Sequence, residues 1–210
     1  MSTEIELKLS LEPEDCVHLL QLPLLDSLSI SPAETHELYT IYYDTPQLDL
    51  KHNRIALRLR RINGRWLQSI KGKGQISSGL HRQHEWEAEV NSEEPDYSKI
   101  TDPGLIKLFS NTKLRQHMRS IFVTEFTRHM RLLQLDDGNK IEFCLDQGTV
   151  TANHSSTPLC EIELELKSGH TNVLFQFALT LQSVLPFSLK LENINKSERG
   201  YALYNKTIQT

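Results

Sequence analysis

Two short stretches constrain the fold of this chain more than any other part of it. Residues 4–9, Glu4-Ile5-Glu6-Leu7-Lys8-Leu9, and residues 161–166, Glu161-Ile162-Glu163-Leu164-Glu165-Leu166, alternate an ionised side chain with an aliphatic one. A strand turns successive side chains to opposite faces, so each stretch puts three charges on one side and three hydrocarbon groups on the other. A helix, at 3.6 residues per turn, would mix the two kinds. The same period recurs in residues 36–45, 54–61, 65–71, 83–90, 122–134 and 140–150, which makes about eight strands.

Turns and helices fill the intervals. Asn63-Gly64 reads as the hairpin turn between the third and fourth strands, and Asp136-Asp137-Gly138-Asn139 as that between the sixth and seventh, because these residues tolerate positive φ. Helices are expected over residues 12–20, 103–109, 171–185 and 196–207, with Pro13 and Pro103 suited to first turns and Pro186 ending the third. The acidic stretch 91–102 reads as a surface loop. No repeat or linker divides the 210 residues, so one domain over 1–210 is expected.

A charged strand face is usually the wetted side of an antiparallel sheet. Here, however, the charges segregate by sign and strand. Glu4 with Glu6, Glu85 with Glu87, Glu142 with Asp146, and the Glu161, Glu163, Glu165 row make acidic faces; Arg58 with Arg60, and Lys71 with Lys73, make basic ones, with Lys8 ending the first strand. Curling about eight such strands with the charges inward gives a barrel around a polar hollow. The expected fold is therefore α+β, a closed eight-stranded antiparallel β-barrel with flanking helices over its aliphatic outer faces.

Such an interior must neutralise itself, because unpaired buried charge costs several kcal/mol per ion. Clustered carboxylates call for a cation, and clustered Arg and Lys for an anion. Oxygen donors without convergent His or Cys suit a hard ion, Mg²⁺ or Mn²⁺, which bridges to substrate phosphates. Arg58 and Arg60 can grip phosphate oxygens bidentately, while Lys8 and Lys71 act as point charges. An organic group on the phosphate chain would need a ring to stack on, for which Trp66 and Trp86 are the candidates.

Other chemistries find less support. Twenty-three basic against 27 acidic residues give a net charge of −4, no footprint for duplex nucleic acid. Cys16, Cys144 and Cys160 are too dispersed for a disulfide framework or zinc knuckle, which favours a reducing compartment. The charged start is unlike a secretory signal and no apolar run reaches membrane length, so a soluble, cytoplasmic protein without a membrane partner is expected. Lys71-Gly72-Lys73-Gly74 lacks the frame of a Walker loop, and His81-x-x-His84 lacks a third ligand.

Glu4-Ile5-Glu6-Leu7-Lys8 resembles the E-x-E-x-K signature of CYTH domains, also called triphosphate tunnel metalloenzymes. Tyr42-Tyr43-Asp44-Thr45-Pro46, Leu57-Arg58-Leu59-Arg60, Lys71, Thr124 to Arg128, Leu145-Asp146-Gln147-Gly148, Glu161 to Leu166 and Lys196 to Tyr201 follow in the family's order. The resemblance implies a tunnel open at both ends that binds a linear triphosphate. Carried over by position, Lys8, Arg58, Arg60, Lys71, Arg82, Arg128 and Lys196 would bind substrate. Glu4, Glu6, Asp146, Glu161, Glu163 and Glu165 would hold the metal, with Glu142 supporting, and Glu4, Glu6, Lys8 and Glu163 would form the catalytic core. By strict alternation Arg82 and Arg128 fall on the wrong face, which a bulge would correct. Gly79-Leu80-His81-Arg82-Gln83 and Cys160-Glu161 look most like the bacterial inorganic triphosphatases. The implied activity is Mg²⁺- or Mn²⁺-dependent hydrolysis of inorganic triphosphate to pyrophosphate and phosphate; a thiamine or nucleoside triphosphatase, an adenylyl cyclase, or a polyphosphate- or nucleotide-binding module without catalysis are its rivals.

Overall fold

In the computed structural model, which describes residues 2–135 and 138–208, the alternating stretches form the strands β1 (Ser2–Ser10), β2 (Glu34–Asp44), β3 (Ala56–Ile62), β4 (Arg65–Ser77), β5 (Leu80–Val90), β6 (Arg119–Gln134), β7 (Lys140–Ala152) and β8 (Ser155–Ser168). Their order is β5-β4-β3-β2-β6-β7-β8-β1, all antiparallel, and β1 also pairs with β5. That last pairing closes the sheet into an eight-stranded barrel. A two-residue β9 (Lys190–Leu191) continues beside Leu9 and Ser10 where β5 leaves off. Asn63 and Gly64 turn between β3 and β4 with φ of 50° and 78°, as expected of a primed hairpin turn. Asp136 and Asp137 lie outside the described residues, although Gln134 pairs with Lys140 to start the β6–β7 ladder.

The helices are α1 (Cys16–Leu20), α2 (Pro23–Leu28), α3 (Asp49–His52), α4 (Pro103–Phe109), α5 (Thr112–Gln116), α6 (Asn172–Val184) and α7 (Lys196–Ile208), with 3-10 turns at Pro13–Asp15 and Tyr97–Lys99. Asp102 caps α4, its carboxylate accepting from the Leu105 N–H at 2.9 Å. Two outer faces of the barrel are covered. Leu7, Leu9, Phe143, Leu145, Ile162 and Leu164 lie beneath Leu19, Leu25, Leu174, Phe177 and Leu181 of α1, α2 and α6. Leu57, Ile70 and Trp86 lie beneath Leu50, Leu105, Phe109 and Leu114 of α3, α4 and α5. Among the described residues no helix is long and apolar enough to cross a membrane.

The third apolar cluster lies inside. Leu38, Tyr42, Phe122, Phe126, Val150 and Leu159 share strand parity with the charged positions, and they pack around Tyr201 and Tyr204 of α7. The resemblance implied a tunnel open at both ends; here one end of the bore is lined with hydrocarbon and filled by α7.

Candidate functional site: a charged bore

The rest of the bore is a cavity of about 720 Å³ whose lining includes Glu4, Glu6, Lys8, Arg58, Arg60, Lys71, Arg128, Glu163, Glu165 and Lys196. Strand register brings these residues together. Asp146 of β7 stands directly across from Glu161 of β8, Lys8 of β1 across from Glu163, and Arg128 of β6 across from Asp146. Asp146 and Glu161 are 0% exposed, behind Glu163. One carboxylate oxygen from each of Asp146, Glu161 and Glu163 lies within 4.8 Å of the others.

Three cations neutralise this group. Lys196 donates to Asp146 at 2.7 Å, to Glu163 at 2.8 Å and to Glu161. Lys8 reaches Glu163, Glu6 at 3.2 Å and Glu161 at 3.6 Å. Arg128 forks onto Asp146 with two bonds of 2.7 Å and extends to Glu163. Burial opposes ionisation of Glu163, but Lys196, Lys8 and Arg128 outweigh it and hold the carboxyl well below the usual range. Asp146 is lowered against the same burial by Arg128 and Lys196. The Oε2 atom of Glu161 is buried with no hydrogen-bond partner among the described residues. Oxygen donors at this spacing, one of them uncommitted, fit a hard divalent cation.

The opposite wall is balanced differently. Arg58 pairs with Glu85 at 3.0 Å, and Lys71 with Glu4 at 2.5 Å and Glu85 at 3.4 Å. Burial and a hydrogen bond with Glu85 raise the pKa of Glu4, whereas Glu85 is lowered because Arg58, Glu4 and Lys71 prevail over its own burial. Arg60 stands between the two walls and among the described residues has no carboxylate partner; its Nε donates to the Thr40 hydroxyl at 3.1 Å. Burial, then Arg58 and Arg128, push its pKa down to about 10. The Phe126 ring lies under three cations, with Lys196 at 5.1 Å, Arg128 at 5.8 Å and Arg60 at 5.9 Å from its centroid.

Most of the sequence candidates converge here, and the two that strict alternation puts on the wrong face fare differently. Arg128 faces the bore with no bulge in its β6–β7 ladder, because the inner face is not purely ionic and Phe126 shares it. Arg82 does not join the others: it is exposed on the outer face, paired with Ile5 of β1. A bulge does occur nearby, but it falls on β4 between Lys71 and Gly74, so β5 keeps strict alternation and Arg82 stays outside. Glu165 and Glu142 pair with Lys167 at 2.9 and 3.3 Å and stand apart from the three-carboxylate group. Neither tryptophan reaches the bore: Trp86 lies in the outer core, and Trp66 packs with Arg61 and Tyr39.

The sequence reading missed Lys51 and Arg54, which line the cavity from α3 and the loop after it. Four residues of helix carry no periodic signal that could have placed them. It also missed what Asp44 does. Buried at the end of β2, Asp44 accepts from the backbone N–H of Thr45, Leu50 and Lys51 at 2.7, 2.8 and 3.0 Å and from the Tyr201 hydroxyl at 2.9 Å, tying α3 and α7 to the barrel. A capping box starts α7: Asn195 Oδ1 accepts from Glu198 N–H at 2.9 Å, and Glu198 Oε2 accepts from Asn195 N–H at 3.1 Å. Lys196 is the helix's first residue, so this cap sets its aim.

Comparison with known proteins fits this arrangement. An inorganic triphosphatase of Haemophilus influenzae is 32% identical over 213 residues, covering all of this chain and 57% of the relative, so the chain spans little more than half its length. Two solved structures share the fold. A Hippeastrum protein named as an adenylyl cyclase with a dominant triphosphatase activity superposes with a TM-score of 0.65 at 16% identity, covering 97% of this chain and 96% of its own. A Bacillus halodurans protein named as an adenylate cyclase gives 0.60 at 19% identity, covering 95% and 98%. The CYTH domain model matches residues 2–201, and a closed barrel with ionised residues of both signs along its bore is what this sequence builds: the chain belongs to the CYTH domain family.

Proposed function

We propose that this chain hydrolyses inorganic triphosphate to pyrophosphate and phosphate within the bore, with Mg²⁺ or Mn²⁺ as cofactor. The observation that carries the proposal is Arg60, a guanidinium lining the cavity with Arg58 and Arg128 beside it and, among the described residues, no carboxylate of its own. A polyanion lying along Arg58, Arg60 and Lys71 supplies that missing charge, its non-bridging oxygens held bidentately by the arginines. Asp146, Glu161 and Glu163 would hold the metal, which when bound neutralises phosphoryl oxygen charge and acidifies water.

Lys8 and Lys196, kept cationic by the carboxylates around them, stabilise charge that builds on the departing phosphate oxygens. Arg128 holds Asp146 and Glu163 in place. Glu4 and Glu6 extend the acidic wall along β1, where they orient water. The Haemophilus relative's name supports the inorganic substrate.

The test is phosphate release from pure protein given triphosphate, thiamine triphosphate or ATP, each with Mg²⁺, Mn²⁺ or a chelator. Triphosphate should turn over fastest and only with metal; no release from it sinks the proposal, and faster turnover of an organic triphosphate reassigns the substrate. Glu163→Gln should lower kcat by ~10²–10³ and blunt the metal dependence.

A further inference from the structure

Cys16 and Cys160, 144 residues apart, place their sulfurs 2.7 Å from each other. Cys16 opens α1 and is 1% exposed; Cys160 lies on β8 and is partly exposed. Cys160 shares parity with Ile162 and Leu164, so it faces the outer core that α1 covers, away from the bore. Cys144 is on the other side of the wall, in line with Asp146 and with its sulfur 3.9 Å from Glu142. The two outer thiols therefore form a separate pair.

We propose that Cys16 and Cys160 are an oxidation site, at which a peroxide forms an intramolecular disulfide that staples α1 to β8. One thiol takes an oxygen atom from the peroxide, releasing water and becoming a sulfenic acid. The other sulfur attacks it, and the S–S bond forms as a second water leaves; the two thiols are oxidised by two electrons and the peroxide is reduced by two. The sulfurs need close only from 2.7 Å to the roughly 2.0 Å of a disulfide bond.

The element being stapled is short. Helix α1 has five residues, of which Cys16 and Leu19 are buried, and its N-cap side chain makes no hydrogen bond. A cross-link there closes a long loop in the unfolded chain, where the entropic gain is large. The partial exposure of Cys160 gives the oxidant access.

The experiment treats the pure protein with hydrogen peroxide, blocks remaining thiols and maps peptides without reduction. Two of the three thiols should disappear, with Cys16 and Cys160 in one linked peptide pair and Cys144 alkylated. The thermal midpoint should rise by on the order of 10 °C and return with dithiothreitol. Cys16→Ser and Cys160→Ser should each abolish the rise. Three thiols still free, a bridge to Cys144, or a bridge between chains overturns the proposal, and the wild-type map decides it even if a serine variant folds poorly.

Discussion

Arg58 and Arg60 are two residues apart on one face of β3, yet the structure gives them opposite energetic characters. Arg58 satisfies Glu85, which Lys71 also reaches at 3.4 Å, so Arg58→Ala leaves that buried carboxylate one cation of two and should destabilise the protein by about 1–3 kcal/mol in urea unfolding. Arg60 satisfies no carboxylate among the described residues, so Arg60→Ala should leave the urea midpoint unchanged or raise it while KM for triphosphate rises at least tenfold. Equal destabilisation by both would remove the distinction. Glu85 adds a pH prediction. Its native pKa lies below the ordinary 4.5, so beneath pH 4.5 the unfolded chain binds a proton that the native one refuses. The stability it contributes is complete above that pH and drains away as pH falls through the lowered value. Urea midpoints between about pH 6 and pH 3 should fall less steeply for Glu85→Gln than for wild type. At this scale the sequence was informative because period two is a property of each strand alone: Glu4, Glu6, Lys8, Arg58, Glu161 and Glu163 could be assigned to faces before any partner was known. What it concealed depended on partners. Arg82 needed a bulge that β4 took instead, and Phe126 among the cations could not be foreseen from a rule that reserves one face for charge.

Among the elements, α7 decides the most. Its Gly200 lies against Phe122, such that a Cβ there would come within 2.1 Å of the ring, and that ring is stacked on Tyr42 and met edge-on by Tyr201. Gly200→Ala would gain about 1 kcal/mol of helix propensity but cost about 1–3 kcal/mol in overpacking, so net loss of stability is expected, read as a lower urea midpoint. Because the same helix presents Lys196 to Asp146 and Glu163, that variant should also lower kcat. The helix was legible from its sequence, but not its location: an amphipathic pattern shows that one face is covered without saying whether the covering surface is outside a barrel or within it. The strands were legible because they are long. Helices α2, α3 and α5 span four to six residues, less than two turns, and no periodicity can accumulate over that length.

For the molecule as a whole, charge balance implies enclosure without any strand pairing being known, whereas alternation says nothing about which strand lies beside which. The resulting bore couples ligand to stability. Free triphosphate with Mg²⁺ at a hundred times its Kd should stabilise the native state by about 2.7 kcal/mol, a thermal shift of roughly 5–10 °C, and the shift should shrink in Arg60→Ala. A shift of the same size in that variant would place the anion elsewhere.

The closing strand has a consequence for how the molecule is made. Lys8 of β1 contacts Glu163 of β8 across 155 residues, so β1 has only one of its two flanking ladders until β8 is available. Such a topology is dominated by non-local contacts, and assembly of this kind proceeds on the slow side for a domain, in milliseconds to seconds or longer. Until β8 arrives, an exposed ladder edge bearing Glu4, Glu6 and Lys8 is guarded by its own charges against pairing with another molecule.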